Sequence, residues 1–404
     1  MKNGNALNLL SGLVKMTKHE GNGNDFLVLL DIEDHFHFSD DTIRWLCDRR
    51  RGVGADGFIR AVGLFGESVS VIDKVQKTAS GIAMERAAAS EDSTFLTVEY
   101  GVGHTGKDHK DGGYDAFMEL TNADGTRAEM SGNGIRCLAQ AIYDFRNDGD
   151  NNDGDNSTGG LGGLSSLSGS EASVIRIVTD AGVKDVLYQP GSQSGSQPGS
   201  QPGSQSGSQP GRKSGRKSGR KSGNDTWFGN ASVDMGRVTV NNTPPVDSSE
   251  EIRAITDREP VWVDVGNPHL VLIGNYPAPG ELESVAPKIA SLVPGGINVE
   301  MCWLDSRREF ATHAQLYGNG EYDEWYGYAV YERGVGPTLS CGTGAVAVCA
   351  ALRSRQSLPS SVLVISEGGP LEVTFDGTDT NAILRGPVSK VADLYIDSRR
   401  LGSS

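Results

Sequence analysis

The sequence lacks several things that would place it quickly. It has no run near the ~20 apolar residues that a membrane-spanning helix needs. Its five cysteines (Cys47, Cys137, Cys302, Cys341 and Cys349) form no CxxC pair, which removes the usual signature of a structural zinc site. Their number is odd and the chain is long, so a disulfide framework is not expected and reduced thiols are the simpler reading. Aromatic residues are only 7% and hydrophobic residues 37%, whereas glycine reaches 54 of 404 residues. That balance points to low-complexity segments diluting an ordinary core. Clustered positive charge is also scarce. The net charge of -15 argues against a nucleic-acid partner, because phosphate binding needs basic patches. The one basic run is the repeat at 212–221, which carries six lysines and arginines. The weakly apolar stretch from Ala6 to Val14 is broken by Asn8, Ser11 and Gly12, so it does not read as a leader. A soluble, cytoplasmic protein with no membrane partner is expected.

What is present divides into framework and insertions. Three stretches read as insertions: about 63–113, 147–172 and 189–224. The first has room for a short helix around Gly81–Ala89. The second is too polar and glycine-rich to order itself, and the third repeats GSQP and GRKS as a solvated linker would. Outside them, short β-rich runs recur between turns: Phe26–Leu30, Ala116–Leu120, Val174–Val178, Val183–Tyr188, Ser232–Val240, Val261–Val265, Leu270–Ile273, Ala329–Tyr331, Val362–Ile365, Leu371–Phe375 and Ala382–Arg385. Helical patterns are fewer, at Ser39–Arg49, Ile135–Asp144, Glu281–Leu292 and Ala345–Ser354. The sum is an α+β protein long enough for two domains. Expected boundaries are 15–240, with the insertions, and 241–388; residues 389–404 are expected to return to the first half.

Two of the helices share a start. One opens Ser131-Gly132-Asn133-Gly134 and the other Cys341-Gly342-Thr343-Gly344, and an almost wholly apolar helix follows each. Apolar on most sides means buried. A helix N-terminus offers unpaired N–H groups and partial positive charge, so it binds carboxylates, and glycine lets the ligand come close. The same field favours the thiolate of a cysteine placed there. Two such ends converging on one amino acid would grip its carboxylate and set a proton-transfer group on each face of Cα. Racemisation without a cofactor needs that arrangement: a base on one side and an acid on the other.

Two other motifs mislead. Gly52-x-Gly54-x-x-Gly57 fits the dinucleotide fingerprint by letters, but charged residues stand where its strand should be. The acidic run Asp148–Gly154 has glycine one position late for a calcium loop and no closing glutamate, and no metal is expected.

A set of ordered motifs carries a family resemblance. They are HEGNGNDF (19–26), LCDRRRGVGADG (46–57), TNADGTRAEMSGNG (121–134), VGNPH (265–269), INVE (297–300), YERGVG (331–336) and CGTG (341–344). The chain resembles the diaminopimelate epimerases, across the whole folded body outside the insertions. The resemblance implies two pseudo-symmetric domains, each a mostly antiparallel sheet wrapped around a central helix. It implies an isomerase without pyridoxal phosphate or other cofactor, interconverting LL- and meso-diaminopimelate in lysine and cell-wall precursor synthesis. Gly132, Asn133, Gly342 and Thr343 would hold the reacting carboxylate, while Asn24, Asn122, Asn267, Asn298, Glu332 and Arg333 would bind the substrate. Catalysis would fall to Cys341 and Ser131, with His269 and Glu332 tuning proton transfer. A homodimer is one option for the assembly.

Ser131 departs from the family, which usually has cysteine there. A serine hydroxyl is a far weaker acid than a thiol and needs an adjacent base. Three readings stay open: serine acts with help from His269 or Glu332, another base or water covers that face, or the activity is changed or lost. The rivals are a racemase or dehydratase of the same fold acting on another amino acid, and a catalytically impaired ligand-binding homologue.

Overall fold

The structure is a computed structural model that describes residues 12–32, 34–62, 114–148, 172–191, 228–241, 249–305, 325–377 and 380–401. The proposed helix at Gly81–Ala89 and nearly all of the three insertions lie outside the described residues. The edges of two insertions are corrected: Asn147 and Asp148 are the last residues of a helix, and 189–190 still belong to a strand.

The first half runs β1 (Leu13–Gly21), β2 (Asn24–Asp31), α1 (Asp40–Cys47), β3 (Gly57–Val62), β4 (Ala116–Asn122), β5 (Arg127–Ala128), α2 (Gly132–Asp148), β6 (Ser173–Thr179), β7 (Gly182–Pro190) and β8 (Phe228–Arg237). The second runs β9 (Thr239–Asn241), α3 (Ser249–Ile255), β10 (Glu259–Asp264), β11 (Pro268–Ile273), α4 (Glu281–Leu292), β12 (Asn298–Asp305), β13 (Trp325–Glu332), β14 (Gly336–Thr338), α5 (Gly342–Arg353), β15 (Ser361–Ser366), β16 (Gly369–Phe375) and β17 (Asn381–Asp397). The expected boundaries at 240 and 388 fall inside β9 and β17, respectively.

The pairings repeat. β1 and β2 are antiparallel, β2 and β3 parallel, β3 and β4 antiparallel, β4 and β6 parallel, and β6, β7 and β8 antiparallel in turn. From β10 the same series recurs: antiparallel to β11, parallel to β12, antiparallel to β13, parallel to β15, then antiparallel through β16 and β17. Each series carries a short hairpin strand, β5 on β4 and β14 on β13. The long strand β17 joins them. Its first part pairs with β16 and β8, and its last part, up to Asp397, pairs with β1. The first ring thus closes on itself through β8, β17 and β1. All seventeen strands belong to one mixed sheet that curls into barrel-like rings.

A helix fills each ring because its sequence is apolar almost all round. In α2, Ile135, Leu138, Ala139 and Ile142 are fully buried against β1, β2, β7, β8 and β17. In α5, every residue from Gly344 to Leu352 is buried, against β10, β11, β12, β15 and β16. Each large aliphatic side chain removed from water there contributes about 1.5–3 kcal/mol. The two helices share one continuous apolar core. Among the described residues, no helix is long and apolar enough to cross a membrane.

Six of these elements are absent from the sequence reading: β1, β3, β5, β12, β14 and α3. β3 hid because Arg60 sits in it, and β12 because Glu300 does. Both charges are buried and partnered, Arg60 by Asp31, Asp34 and Glu119, and Glu300 by His269.

Candidate active site

The two glycine-rich helix starts meet. A Cβ placed on Gly342 would stand 3.1 Å from Cα of Gly132, and one placed on Gly132 would stand 3.3 Å from Cα of Gly342. Only glycines allow this approach. The amide groups at both N-termini are therefore within a few ångströms of one another, and their partial positive charges add. Asn133 stitches the ends together: its side-chain amide donates to Asn24 Oδ1 at 2.6 Å and to the Ser340 carbonyl at 3.4 Å.

Each helix is capped by its small polar residue. Ser131 Oγ accepts from Gly134 N at 3.1 Å, and Cys341 Sγ accepts from Gly344 N at 3.4 Å and lies 3.3 Å from Thr343 Oγ1. Capping satisfies one of the otherwise orphaned N–H groups.

Around Cys341 the polar groups are dense. The Glu332 carboxylate, which accepts from Thr338 Oγ1 at 2.5 Å, stands close enough to act on the thiol through its charge. His269 is fully buried, with Nδ1 2.7 Å from Glu300 Oε1 and Nε2 3.0 Å from Asn267 Oδ1. Asn298 donates to the Pro268 carbonyl at 3.2 Å and accepts from the Arg333 amide at 2.9 Å. The Arg333 side chain is exposed and has no ion-pair partner among the described residues.

The thiolate expectation is corrected. The Cys341 thiol is held well above its ordinary range, first by burial and then by the carboxylates of Glu332 and Glu300. The Thr343 hydroxyl and the Gly344 amide act the other way but are outweighed. Glu332 is likewise pushed up, chiefly by burial. The resting site holds a thiol.

Around Ser131 the setting differs. Asn24 donates to Asp56 Oδ2 at 3.2 Å, and Asp56 and Asp25 are both bound by Arg49. Asn122 is occupied with its own turn, donating to Thr126 Oγ1 at 3.1 Å. The structure thus ties Asn24 and Asn133 directly, and joins Asn267, His269, Asn298, Glu332, Arg333 and Cys341 through a second set of contacts. Two residues outside the predicted site belong to it. Glu300 is one. Arg136 is the other: fully buried, it donates to the Gly132 carbonyl, Asn133 Oδ1, Asn22 Oδ1 and the Pro387 carbonyl. It stands one turn after Gly132, and a charged residue among the apolar positions Ile135, Cys137, Leu138 and Ala139 was the available signal.

The remaining cysteines are free and buried, as packing residues are. The Gly52–Gly57 stretch is the tight return from α1 to β3. A Cβ on Gly52 would lie 1.8 Å from the Trp45 carbonyl, and Gly54 has φ +85°. The element that leads into it is the helix α1 and not a strand, so it lacks the setting of a dinucleotide fingerprint. Among the described residues no group of side chains could hold a metal ion.

Comparison with known proteins follows the same lines. The diaminopimelate epimerase family model matches residues 261–391. A diaminopimelate epimerase of Mycobacteroides abscessus is 28% identical over 387 residues, covering 94% of this chain and 95% of its own. That of Rhodococcus opacus is 28% identical over 389 residues, covering 94% and 96%. In fold, the chain is similar to a phenazine biosynthesis protein of the PhzF family from Bacillus anthracis (TM-score 0.50, 11% identity, 95% and 99% covered). It is similar in the same measure to a predicted epimerase from Pseudomonas aeruginosa (TM-score 0.50, 11% identity, 95% and 99% covered). With two capped helix ends abutting and a thiol among carboxylates, the chain is an isomerase of the epimerase and racemase class. Within that class its family likeness is to the diaminopimelate epimerases, which it parallels over nearly its whole length.

Proposed function

We propose that the protein epimerises diaminopimelate, interconverting the LL and meso forms at Cα without a redox or carbonyl cofactor. The observation that carries this is the contact of Gly132 with Gly342. It brings two helix N-termini to one point, where the amides of Gly132, Asn133, Gly342 and Thr343 can hold a carboxylate and the charge that develops on it as the Cα proton leaves. Cys341 addresses one face of Cα and Ser131 the other. A proton leaves one face to the group there, and a solvent-derived proton is delivered to the other, so stereochemistry inverts with no net change in atoms. Arg333 suits a distal carboxylate because its planar fork can pair both oxygens, and it is uncommitted among the described residues. Asn24, Asn122, Asn267 and Asn298 supply the remaining polar contacts to a diamino, dicarboxylic substrate.

The test is incubation with LL- and with meso-diaminopimelate in D2O, following stereochemistry and deuterium at Cα. Inversion with solvent deuterium in the product is the expected result. The absence of both inversion and exchange with either isomer overturns the assignment. A second reading, an isomerase of the same fold acting on another amino acid, draws on the weaker acid at Ser131. It predicts turnover of a substrate without the distal carboxylate.

A further inference from the structure

The Cys341 side of the site holds a group that the reaction above leaves unused. Glu300 lies within β12, its side chain wholly buried. Its Oε1 is 2.7 Å from Nδ1 of the equally buried His269, and its Oε2 has no hydrogen-bond partner among the described residues. A buried carboxylate so poorly satisfied is costly to keep. It is also close to the reacting loop. A Cβ on Gly344 would stand 2.8 Å from Glu300 Oε1 and 3.2 Å from Cys341 Cβ, so glycine at 344 is what admits the carboxylate beneath the loop.

The fold does not require an acid there. In the first half, a Cβ on Gly134 would stand 3.2 Å from Ser131 Cβ, 3.3 Å from Ile59 Cδ1 and 3.4 Å from Phe26 Cζ. The ladders agree: Phe26 pairs with Gly57 as His269 pairs with Asn298, which sets Ile59 opposite Glu300 in the repeat. Isoleucine does the packing in one half, and glutamate replaces it in the other. Among the described residues, the charged and titratable groups that act on Cys341 are Glu300 from β12 and Glu332 and Tyr328 from β13, with His269 from β11 behind the two carboxylates. The Tyr328 hydroxyl donates to the Cys341 carbonyl at 3.2 Å.

We propose that Glu300 is a positioning residue: it fixes the His269 imidazole against Asn267 and holds a carboxylate beneath the Cys341 loop, where it governs how readily the Cys341 side chain gives up and takes back a proton. The catalytic consequence of this statement rests on the epimerase reading; the effect on the thiol does not.

The experiment uses Glu300→Gln, which removes the charge and keeps the shape, and Glu300→Ile, which copies the other half. Alkylation of Cys341 by iodoacetamide is followed across pH by peptide mass mapping on the substrate-free protein, with Cys341→Ser identifying the signal. Both variants should react several-fold faster than wild type at neutral pH, with the profile moved to lower pH, because the thiolate is the reactive form. With diaminopimelate, kcat should fall about tenfold or more while KM changes little, since the loss is in proton transfer. An unchanged alkylation profile in whichever variant folds overturns the proposal, even if kcat falls. If wild type fails to epimerise diaminopimelate, the alkylation result still stands, so the two readings fail separately.

Discussion

The two halves of the molecule are built by the same series of strand pairings and carry different chemistry at the same places. Both contribute a capped, glycine-rich helix start, and the two starts touch. What surrounds them diverges. Behind Cys341 lie Glu332, Glu300 and His269; at the matching places behind Ser131 lie Asn122, Ile59 and Phe26. The lesson is a division of labour. Holding a carboxylate requires both helix ends, so that function is symmetric, because each end contributes N–H groups and half a dipole. Moving protons requires titratable neighbours, and among the described residues the buried carboxylates nearest a helix-capping side chain are those beside Cys341.

The sharpest way to break this comparison is Cys341→Ala. If the second half carries proton transfer, inversion of diaminopimelate should fall by about 10³-fold or more, the range expected when an acid–base group is lost. The thermal unfolding midpoint should stay near wild type. Retention of more than a tenth of the activity would mean that the half with serine can work alone.

Ser131 sharpens the comparison from the weaker side. Ser131→Ala should reduce inversion by about tenfold, well short of the Cys341 effect, because among the described residues no base is hydrogen-bonded to the hydroxyl to activate it. It should also cost about 1 kcal/mol of stability through the lost helix cap, read in denaturant unfolding. Ser131→Cys should raise the rate above wild type, since a thiol is much the better acid. A Ser131→Ala variant as inactive as Cys341→Ala would erase the asymmetry.

Much of this was legible in the amino-acid sequence, and the exceptions have physical causes. The eleven β-rich runs and four helical patterns all fall on observed elements, because alternation and a 3.6 period follow directly from which face is buried. The pairing of SGNG with CGTG located both helix starts. Glu300 was overlooked although its motif was in view. Its role depends on His269 and on Gly344, which are distant in sequence and meet only across β11, β12 and the start of α5. Arg136 was missed for the same reason, since two of its partners, Pro387 and Asn22, lie 251 and 114 residues away. The thiolate expectation failed because a helix dipole is a local property that sequence reveals, whereas burial and two converging carboxylates are properties of the assembled fold.

The smallest expected effect compares the third residue of each helix. Gly134 and Gly344 have helical backbone, so alanine is conformationally acceptable and intrinsically favoured by about 1 kcal/mol in a helix. What decides the outcome is the neighbour. At 134 the new methyl group would meet Ser131 Cβ at 3.2 Å and Ile59 Cδ1 at 3.3 Å, a crowding that a small shift of the isoleucine can relieve. At 344 it would meet Glu300 Oε1 at 2.8 Å, an oxygen that can retreat only by loosening its contact with His269. Gly134→Ala should therefore leave turnover within about threefold of wild type, whereas Gly344→Ala should lower kcat by about tenfold, a loss suited to a disturbed acid–base partner. The two variants should show similar unfolding midpoints, so that the difference between them is read in kcat alone. Equal effects at both positions would mean that the crowding at 344 acts on packing and that the carboxylate beneath the loop has no part in proton transfer.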